Sequence, residues 1–437
     1  MNTTHLTLLA SALLAANSGL PALASEEYEQ PPISYSARPP QDVIARLEKR
    51  LRSGDARLEG NPKEILRALL QELQVPVESQ ILVFSKTSLQ RGRIEPKNPR
   101  SMFFSDTCYV GWVPGGLMEV ASIDPTLGPI FYAFDPYAAP TPDEPRFVRD
   151  SDCLSCHGGS FVRGVPGVFA RSVFTDELGE PMLRHGSQVV DHRTPFNERW
   201  GGWYVTGKHG KETHRGNVFA TEKKGELTVD LERGANVTNL RKYFETENYL
   251  TDTSDIVALM VFEYQTAAHN ALTRAAFNCR RMLAYQKNLQ RDLGEPVTDE
   301  PSYDSVKRVF DSATQDALDH LLFKDEAPLP KGGIQGSRAF QDAFTANARP
   351  ARDGSSLKDL DLKTRLFQNR CGYVIYSEAF LNLPAPLKQR IYDRLVRALH
   401  PTDPDPRYAY IDSAERERIM TILRETHPEM AKRLAAR

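Results

Sequence analysis

The chain has little excess charge of either sign and few long apolar stretches. Of its 437 residues, 55 are Lys or Arg and 57 are Asp or Glu, so the formal net charge is −2. Nucleic-acid and anionic-membrane partners select for a strong positive field, which this balance does not provide. Beyond the amino-terminal leader, no run of apolar residues approaches the length of about 18 that a membrane helix needs. We therefore expect no nucleic-acid partner and no membrane span in the mature chain.

Cysteine is also scarce, and its distribution is uneven. The chain has five cysteines, of which Cys108, Cys279 and Cys371 are isolated. The other two lie in the run Cys153-Leu154-Ser155-Cys156-His157. A structural zinc site of the C-x-x-C type usually needs a second pair of ligands, which these spacings do not provide. A thioredoxin-like motif should open a helix after a strand, whereas Gly158-Gly159 follows this run at once.

The C-x-x-C-H run is the attachment signature of a c-type haem. Each thiol forms a thioether with one haem vinyl group, and the histidine that follows is the proximal iron ligand. The run predicts one covalently attached haem c, bound by Cys153, Cys156 and His157, with His157 as the metal ligand. A zinc site and a redox-active C-x-x-C remain as alternatives. Cys108, Cys279 and Cys371 are either one disulfide with a free thiol or three buried thiols.

Residues 1–24 have the pattern of a secretory signal. An apolar stretch covers residues 6–16, and Ala22-Leu23-Ala24 is an A-x-A cleavage site. Bacterial haem attachment of this type takes place outside the cytoplasmic membrane, so the leader and the C-x-x-C-H run agree with each other. We predict a periplasmic or secreted protein.

The order of the predicted elements indicates an α+β fold. After the signal peptide, residues 25–60 form an extended leader and a first helix, and residues 61–245 form a β-rich, loop-rich haem-bearing section. Residues 246–437 form a mainly helical section, with a surface loop or lid over 328–350. Helical periodicity and strand patterns predict helices over 41–53, from 61, and over 255–290, 305–322, 357–368, 374–381, 385–399 and 412–435, and strands over 81–84, 102–104, 108–113, 117–123, 129–134, 216–221 and 226–231.

Histidines cluster downstream of the haem motif. His185, His192, His209 and His214 fall within thirty residues of one another, and His269 lies on the long predicted helix. A distal iron ligand, a proton relay or a second metal would each use such residues. We predict His209, His214, His269 and Glu263 as catalytic residues, because an aromatic and glycine-rich run precedes the first two and a fully apolar helix start precedes the others. The candidates for the sixth iron ligand are His185, His192, His209, His214, His269 and Met182, or the site is open.

The segment from Cys153 to Gly159 resembles exported bacterial c-type cytochromes with one haem. The segments from Tyr109 to Phe134 and from Trp200 to Gly216 resemble a family of secreted single-haem proteins with no assigned activity. A chain this long holds far more polypeptide than one haem needs. We therefore predict a haem-dependent oxidoreductase acting with a small-molecule substrate or a redox partner protein. The alternative is a non-catalytic electron-transfer cytochrome or a haem-based sensor.

Overall fold

The computed structural model describes residues 26–139, 141 and 144–435. The predicted signal peptide and its cleavage site lie outside the described residues. The predicted α+β class is confirmed, with a large antiparallel sheet in the first half of the chain and mostly helices in the second. Within the described ranges, no helix is long and apolar enough to cross a membrane.

The regular elements alternate with many single turns of 3₁₀ helix. The helices are α1 (Val43–Ser53), α2 (Pro62–Glu72), α3 (Leu154–His157), α4 (Ile256–Asp292), α5 (Asp304–Leu321), α6 (Arg338–Thr345), α7 (Glu378–Leu381), α8 (Ala385–Ala398), α9 (Ser413–Thr426) and α10 (Pro428–Ala435). The strands are β1 (Ile81–Val83), β2 (Arg100–Phe104), β3 (Cys108–Trp112), β4 (Met118–Asp124), β5 (Gly128–Phe134), β6 (Val148–Arg149), β7 (Ala170–Val173), β8 (Ser187–Val190), β9 (Trp203–Tyr204), β10 (Ala220–Lys223) and β11 (Glu226–Val229).

The main sheet has seven strands in the order β6-β5-β4-β3-β2-β1-β9, and every pairing is antiparallel. The predicted strand segments before the haem motif fall within or overlap β1 to β5. Two further pairs, β7 with β8 and β10 with β11, form separate two-stranded sheets. The predicted hairpin over 216–231 is present as β10 and β11, with its first strand starting four residues later.

The long helix α4 packs directly on the main sheet. Its Phe262 ring lies 5.6 Å from Phe104 and 5.5 Å from Tyr109, both in edge-on contact. Asp255 caps the helix, because its side chain accepts hydrogen bonds from Val257 N and Ala258 N. One continuous hydrophobic core joins this helix to the sheet and to the helices that follow.

The predicted extended leader is wrong for the described part of this segment. Residues Glu27–Glu29 form a 3₁₀ turn, and Tyr28, Ile33 and Tyr35 are buried in the main core. Tyr35 Oη donates to Pro129 O at 2.7 Å, which ties the segment to strand β5. The prolines favour an extended segment, but burial of the aromatic side chains removes a large apolar area from water. This burial stabilises the folded form of the segment.

The predicted helix over 357–368 is also wrong, because side chains of this segment hydrogen-bond to nearby backbone instead. Asp359 accepts from Ser356 N at 2.8 Å, and Asp361 accepts from Lys363 N at 3.0 Å. Leu362 adopts a positive φ of 60°, which no right-handed helix allows. Short polar side chains that bond to the local backbone compete with helix formation.

Three other predicted segments differ from the structure. The predicted loop or lid over 328–350 contains α6, which Ser337 caps by accepting from Phe340 N and which buries Phe340 and Phe344. Residues 373–376 form a 3₁₀ turn before α7. The carboxyl-terminal helix ends before His427, and α10 restarts at Pro428, because proline cannot continue the hydrogen bonding of the preceding turn.

Candidate functional site

One face of the main sheet forms the floor of a cleft that also holds the C-x-x-C-H run. Strand residues that face each other across the ladder point to the same side of a sheet. The register pairs Val83 with Arg100, Met102 with Gly111, and Gly111 with Glu119. Together with Tyr109, Ala121, Phe131 and Trp203, these residues line a space of about 1120 Å³, part of which opens to solvent. Cys153, Cys156 and His157 line the same space.

The motif is built on a single helical turn. Asp150 accepts a hydrogen bond from Asp152 N, and a 3₁₀ turn over Ser151–Cys153 leads into α3. Cys153 is partly buried and Cys156 is exposed, and both thiols are free. Gly158 follows because the Tyr28 hydroxyl lies where a side chain would stand, 2.3 Å from an ideal Cβ.

The His157 ring is held by the backbone in one orientation. Its Nδ1 lies 2.8 Å from Gly167 O, which accepts the ring N–H and leaves Nε2 as the unprotonated nitrogen. A metal-bound histidine characteristically donates its other ring N–H to a carbonyl or carboxylate, and this bond fixes the tautomer. Burial lowers the pKa of His157, which favours the neutral imidazole that metal binding requires.

Asn270 of α4 hydrogen-bonds to the segment before β7 that orients the His157 ring. Its Nδ2 donates to Val168 O at 2.7 Å, and its Oδ1 accepts from Val168 N at 3.2 Å. Gly167 also donates its N–H to His157 O at 2.8 Å. A side chain at Gly167 would stand 2.6 Å from Asn270 Oδ1, so the close approach requires glycine here. Asn270 is a positioning residue that the sequence analysis did not identify.

Aromatic rings surround the His157 imidazole. The Phe131 ring lies 4.8 Å from it and the Phe169 ring 5.2 Å, measured between centroids. Phe161 stacks on Phe169, and the Arg171 guanidinium lies 4.7 Å above the Phe161 ring. Burial raises the pKa of the Cys153 thiol to about 12, so at neutral pH it is a thiol and not a thiolate. This part of the cleft is apolar and carries one cation at its edge.

An ion pair of opposite charges stands on the sheet floor of the cleft. Arg100 Nη2 lies 2.5 Å from Glu119 Oε2, and both side chains are less than a fifth exposed. Arg100 Nε has no hydrogen-bond partner among the described residues. Gly111 makes the space for the guanidinium, since an ideal Cβ there would lie 2.4 Å from Arg100 Nη2. The sequence analysis identified none of these residues.

The predicted distal histidines lie elsewhere. His185 pairs with Glu222 at 2.8 Å, and His192 is buried beside His320 and Lys324. His209 and His214 lie together, with ring centroids 4.7 Å apart, and both rings also contact Phe196. These side chains, and that of Met182, are not among those that line the cleft.

Glu263 and His269, the two predicted catalytic residues on α4, have different surroundings. Glu263 is fully buried and forms an ion pair with Arg199. Burial raises the pKa of Glu263 to about 7, and the Arg199 guanidinium opposes this rise. His269 reaches the cleft only through Tyr109, whose hydroxyl lies 2.9 Å from His269 Nδ1. Of the aromatic and glycine-rich run before His209, Trp203 lines the cleft, whereas Trp200 packs between Phe196 and His214.

The isolated cysteines form no disulfide: Cys108, Cys279 and Cys371 are buried free thiols, as the second of the two alternatives predicted. In the part of the chain that the structure describes, no three side chains of His, Cys, Asp or Glu stand close enough to hold a metal ion.

Comparison with models of known protein families, with curated proteins and with solved structures finds no match to this chain. The function of this chain is therefore inferred from the C-x-x-C-H run and the residues of the cleft around it.

We expect the Glu263–Arg199 pair to have a structural role. Glu263→Leu leaves the Arg199 charge buried without its partner, which typically costs about 3–5 kcal/mol. The matched control, Glu180→Leu, removes a solvent-exposed pair with Lys86 and should cost at most about 1 kcal/mol. Urea unfolding of both variants measures the difference. A Glu263→Leu protein as stable as the wild type would contradict the structural role and restore Glu263 as a candidate catalytic residue.

Proposed function

We propose that this chain is an exported c-type haem protein, and that its haem lies in the cleft that Cys153, Cys156 and His157 line. One observation carries the proposal. The two thiols and the imidazole of the C-x-x-C-H run line one large apolar cleft, and a backbone carbonyl satisfies His157 Nδ1 so that Nε2 is the ligand nitrogen. Thioether formation uses both free thiols. Phe131 and Phe169 pack against the ligating ring.

The cationic side chains of the cleft suit the carboxylate groups of a haem. Arg171 lies at the aromatic edge, where its guanidinium stands over the Phe161 ring, and burial lowers its pKa. A bound haem supplies one-electron transfer and an iron coordination site. The chain's own residues would attach it and hold the proximal imidazole in one orientation.

The charged pair in the cleft favours a haem-dependent oxidoreductase. Arg100 Nε is a donor without a hydrogen-bond partner among the described residues, and it stands beside its ion-pair partner, the Glu119 carboxylate, inside a largely apolar space. Such a pair can hold a small oxygen-bearing substrate, with the guanidinium donating and the carboxylate accepting or moving a proton. A purely electron-carrying site has no need of this capacity. The charged pair therefore specifies the substrate or redox partner only as one that carries both hydrogen-bond acceptor and donor groups.

A second candidate function, electron transfer without catalysis, is favoured by Met102. Its side chain lines the cleft and supplies a thioether within the same space as the haem-binding residues. Methionine opposite histidine raises the reduction potential of a haem and is typical of electron carriers. Met182, the sulfur ligand considered from the sequence, does not line the cleft.

We expect one haem per chain, attached through Cys153 and Cys156. The wild-type protein, made in a host that attaches haem outside the cytoplasm, should keep its haem through acid–acetone extraction. Cys153→Ala with Cys156→Ala should release it, since no thioether remains. Cys279→Ala, which changes a buried thiol far from the cleft lining, is the control and should keep it. Stoichiometric zinc without iron, or haem that extracts freely from the wild type, would falsify the attachment.

The two candidate functions differ in what Met102→Leu does. For the oxidoreductase, the visible spectrum should stay unchanged in Met102→Leu, the wild-type iron should bind cyanide, and Glu119→Gln should slow turnover by about 10²–10⁴-fold. For the electron carrier, Met102→Leu should alter the spectrum and open the iron to cyanide. Met182→Leu is the matched control for both. A changed spectrum in Met102→Leu alone would reject the oxidoreductase.

Export is part of the proposal, because haem attachment of this type needs it. We expect cleavage after Ala24, so that the mature chain begins at Ser25. Amino-terminal sequencing of protein from an export-competent host, together with its intact mass, measures this. A mature periplasmic or secreted chain that still carries Met1 would contradict the proposed cleavage.

A further inference from the structure

A second cavity lies behind the cleft, and a hydrogen bond joins the two. This cavity encloses about 1100 Å³, part of it open to solvent, and polar side chains dominate its lining. His269 lines this cavity, whereas Tyr109 lines the cleft. The Tyr109 hydroxyl lies 2.9 Å from His269 Nδ1. Both side chains are buried, so the contact is shielded from bulk solvent except through the two spaces.

Neighbouring hydrogen bonds set the direction of this contact. Tyr373 Oη donates to Gln265 Oε1 at 2.7 Å, which leaves the Gln265 amide nitrogen as a donor. That nitrogen donates to Ser105 O at 2.8 Å and to the Tyr109 hydroxyl oxygen at 3.0 Å. The Tyr109 proton is then free to bond His269 Nδ1. His269 therefore carries its proton on Nε2.

His269 Nε2 is a buried donor with no hydrogen-bond partner among the described residues. An unsatisfied buried donor costs about 1–3 kcal/mol, unless the adjoining space supplies an acceptor. Burial lowers the pKa of His269 to about 4, which keeps the ring neutral near pH 7 and its Nε2 protonated. The ring therefore holds one exchangeable proton on Nε2, and His269 lines the second cavity.

The charged groups of the cavity are engaged with other partners or exposed. Lys358 Nζ contacts both oxygens of Asp106 at 2.8 Å and Asn347 Oδ1 at 2.6 Å. The ionisable groups that line this cavity with His269 are Arg46, Asp106, Arg349, Lys358, Tyr373, Tyr376 and Glu378. Two groups of opposite charge, Arg100 and Glu119, share the cleft with Tyr109.

We propose that Tyr109 and His269 form a proton path between the cleft and the second cavity. The role of the path rests on the proposed haem function, because oxidation of a haem adds positive charge to the cleft and favours loss of a proton from a water molecule held there. The Tyr109 oxygen takes that proton while its own proton passes to His269 Nδ1, and the proton on His269 Nε2 leaves to solvent water in the second cavity. No electron moves in these steps. The reverse shift on re-reduction restores both groups.

Two variants separate proton transfer from structural support. Tyr109→Phe removes the hydroxyl. His269→Gln keeps an acceptor and an N–H donor in the side chain but cannot exchange one proton for another. The control is Tyr204→Phe, which removes another buried hydroxyl, donated to Pro96 O at 2.8 Å, away from both spaces.

The measurement is proton release when the haem-loaded protein is mixed with ferricyanide in weak buffer that contains a pH-indicator dye. Haem absorbance in the same sample reports oxidation. We expect wild type and Tyr204→Phe to release protons with a solvent isotope effect. Tyr109→Phe and His269→Gln should be oxidised fully but release protons about 10²-fold more slowly or worse.

The outcomes distinguish the two proposals. Haem oxidation without proton release in the wild type overturns the path and leaves the haem function intact. Unchanged release in His269→Gln overturns it as well, and this variant decides the matter if Tyr109→Phe does not fold. A chain without haem absorbance overturns the proposed function itself, and the path with it.

Discussion

The hydrogen bond from His157 Nδ1 to Gly167 O is the contact on which the site depends. It selects the ring nitrogen that is left for a ligand, and it joins the short helix α3 to the segment that leads into β7. That segment is in turn fastened to the long central helix by both atoms of the Asn270 amide. A local motif of five residues is thus oriented by a helix that lies more than a hundred residues further along the chain.

The central helix α4 explains why one buried element carries so many polar side chains. Several of them bond to different parts of the fold. Glu263 pairs with Arg199, Gln265 joins Tyr109 to Tyr373, and Asn270 holds Val168. Buried polar groups are tolerated when they are satisfied, and a satisfied network favours one arrangement of the elements around it. The helix therefore organises the cleft in addition to supporting the sheet.

Sequence patterns predicted the class of fold, most helices and the β-rich section, because these depend on local periodicity. They failed at residues 357–368, where Asp359 and Asp361 bond to the nearby backbone in place of a helix. They also failed to identify Arg100, Met102 and Glu119 as neighbours. Arg100 and Met102 lie on β2 and Glu119 lies on β4, and only the register of the ladder through β3 brings Glu119 to the same face. The histidines are close in sequence, but only His209 and His214 lie together, whereas His185 pairs with Glu222 and His192 packs beside His320.

The amino-terminal segment has a practical bearing on how this protein is handled. Tyr28 stands against Gly158, directly after the C-x-x-C-H run, and Tyr35 reaches strand β5. The first described segment is therefore a neighbour of this run in space, although more than a hundred residues separate them in sequence. An affinity tag or reporter joined directly before this segment would lie close to the run. A fusion after α10 is joined to a different part of the fold.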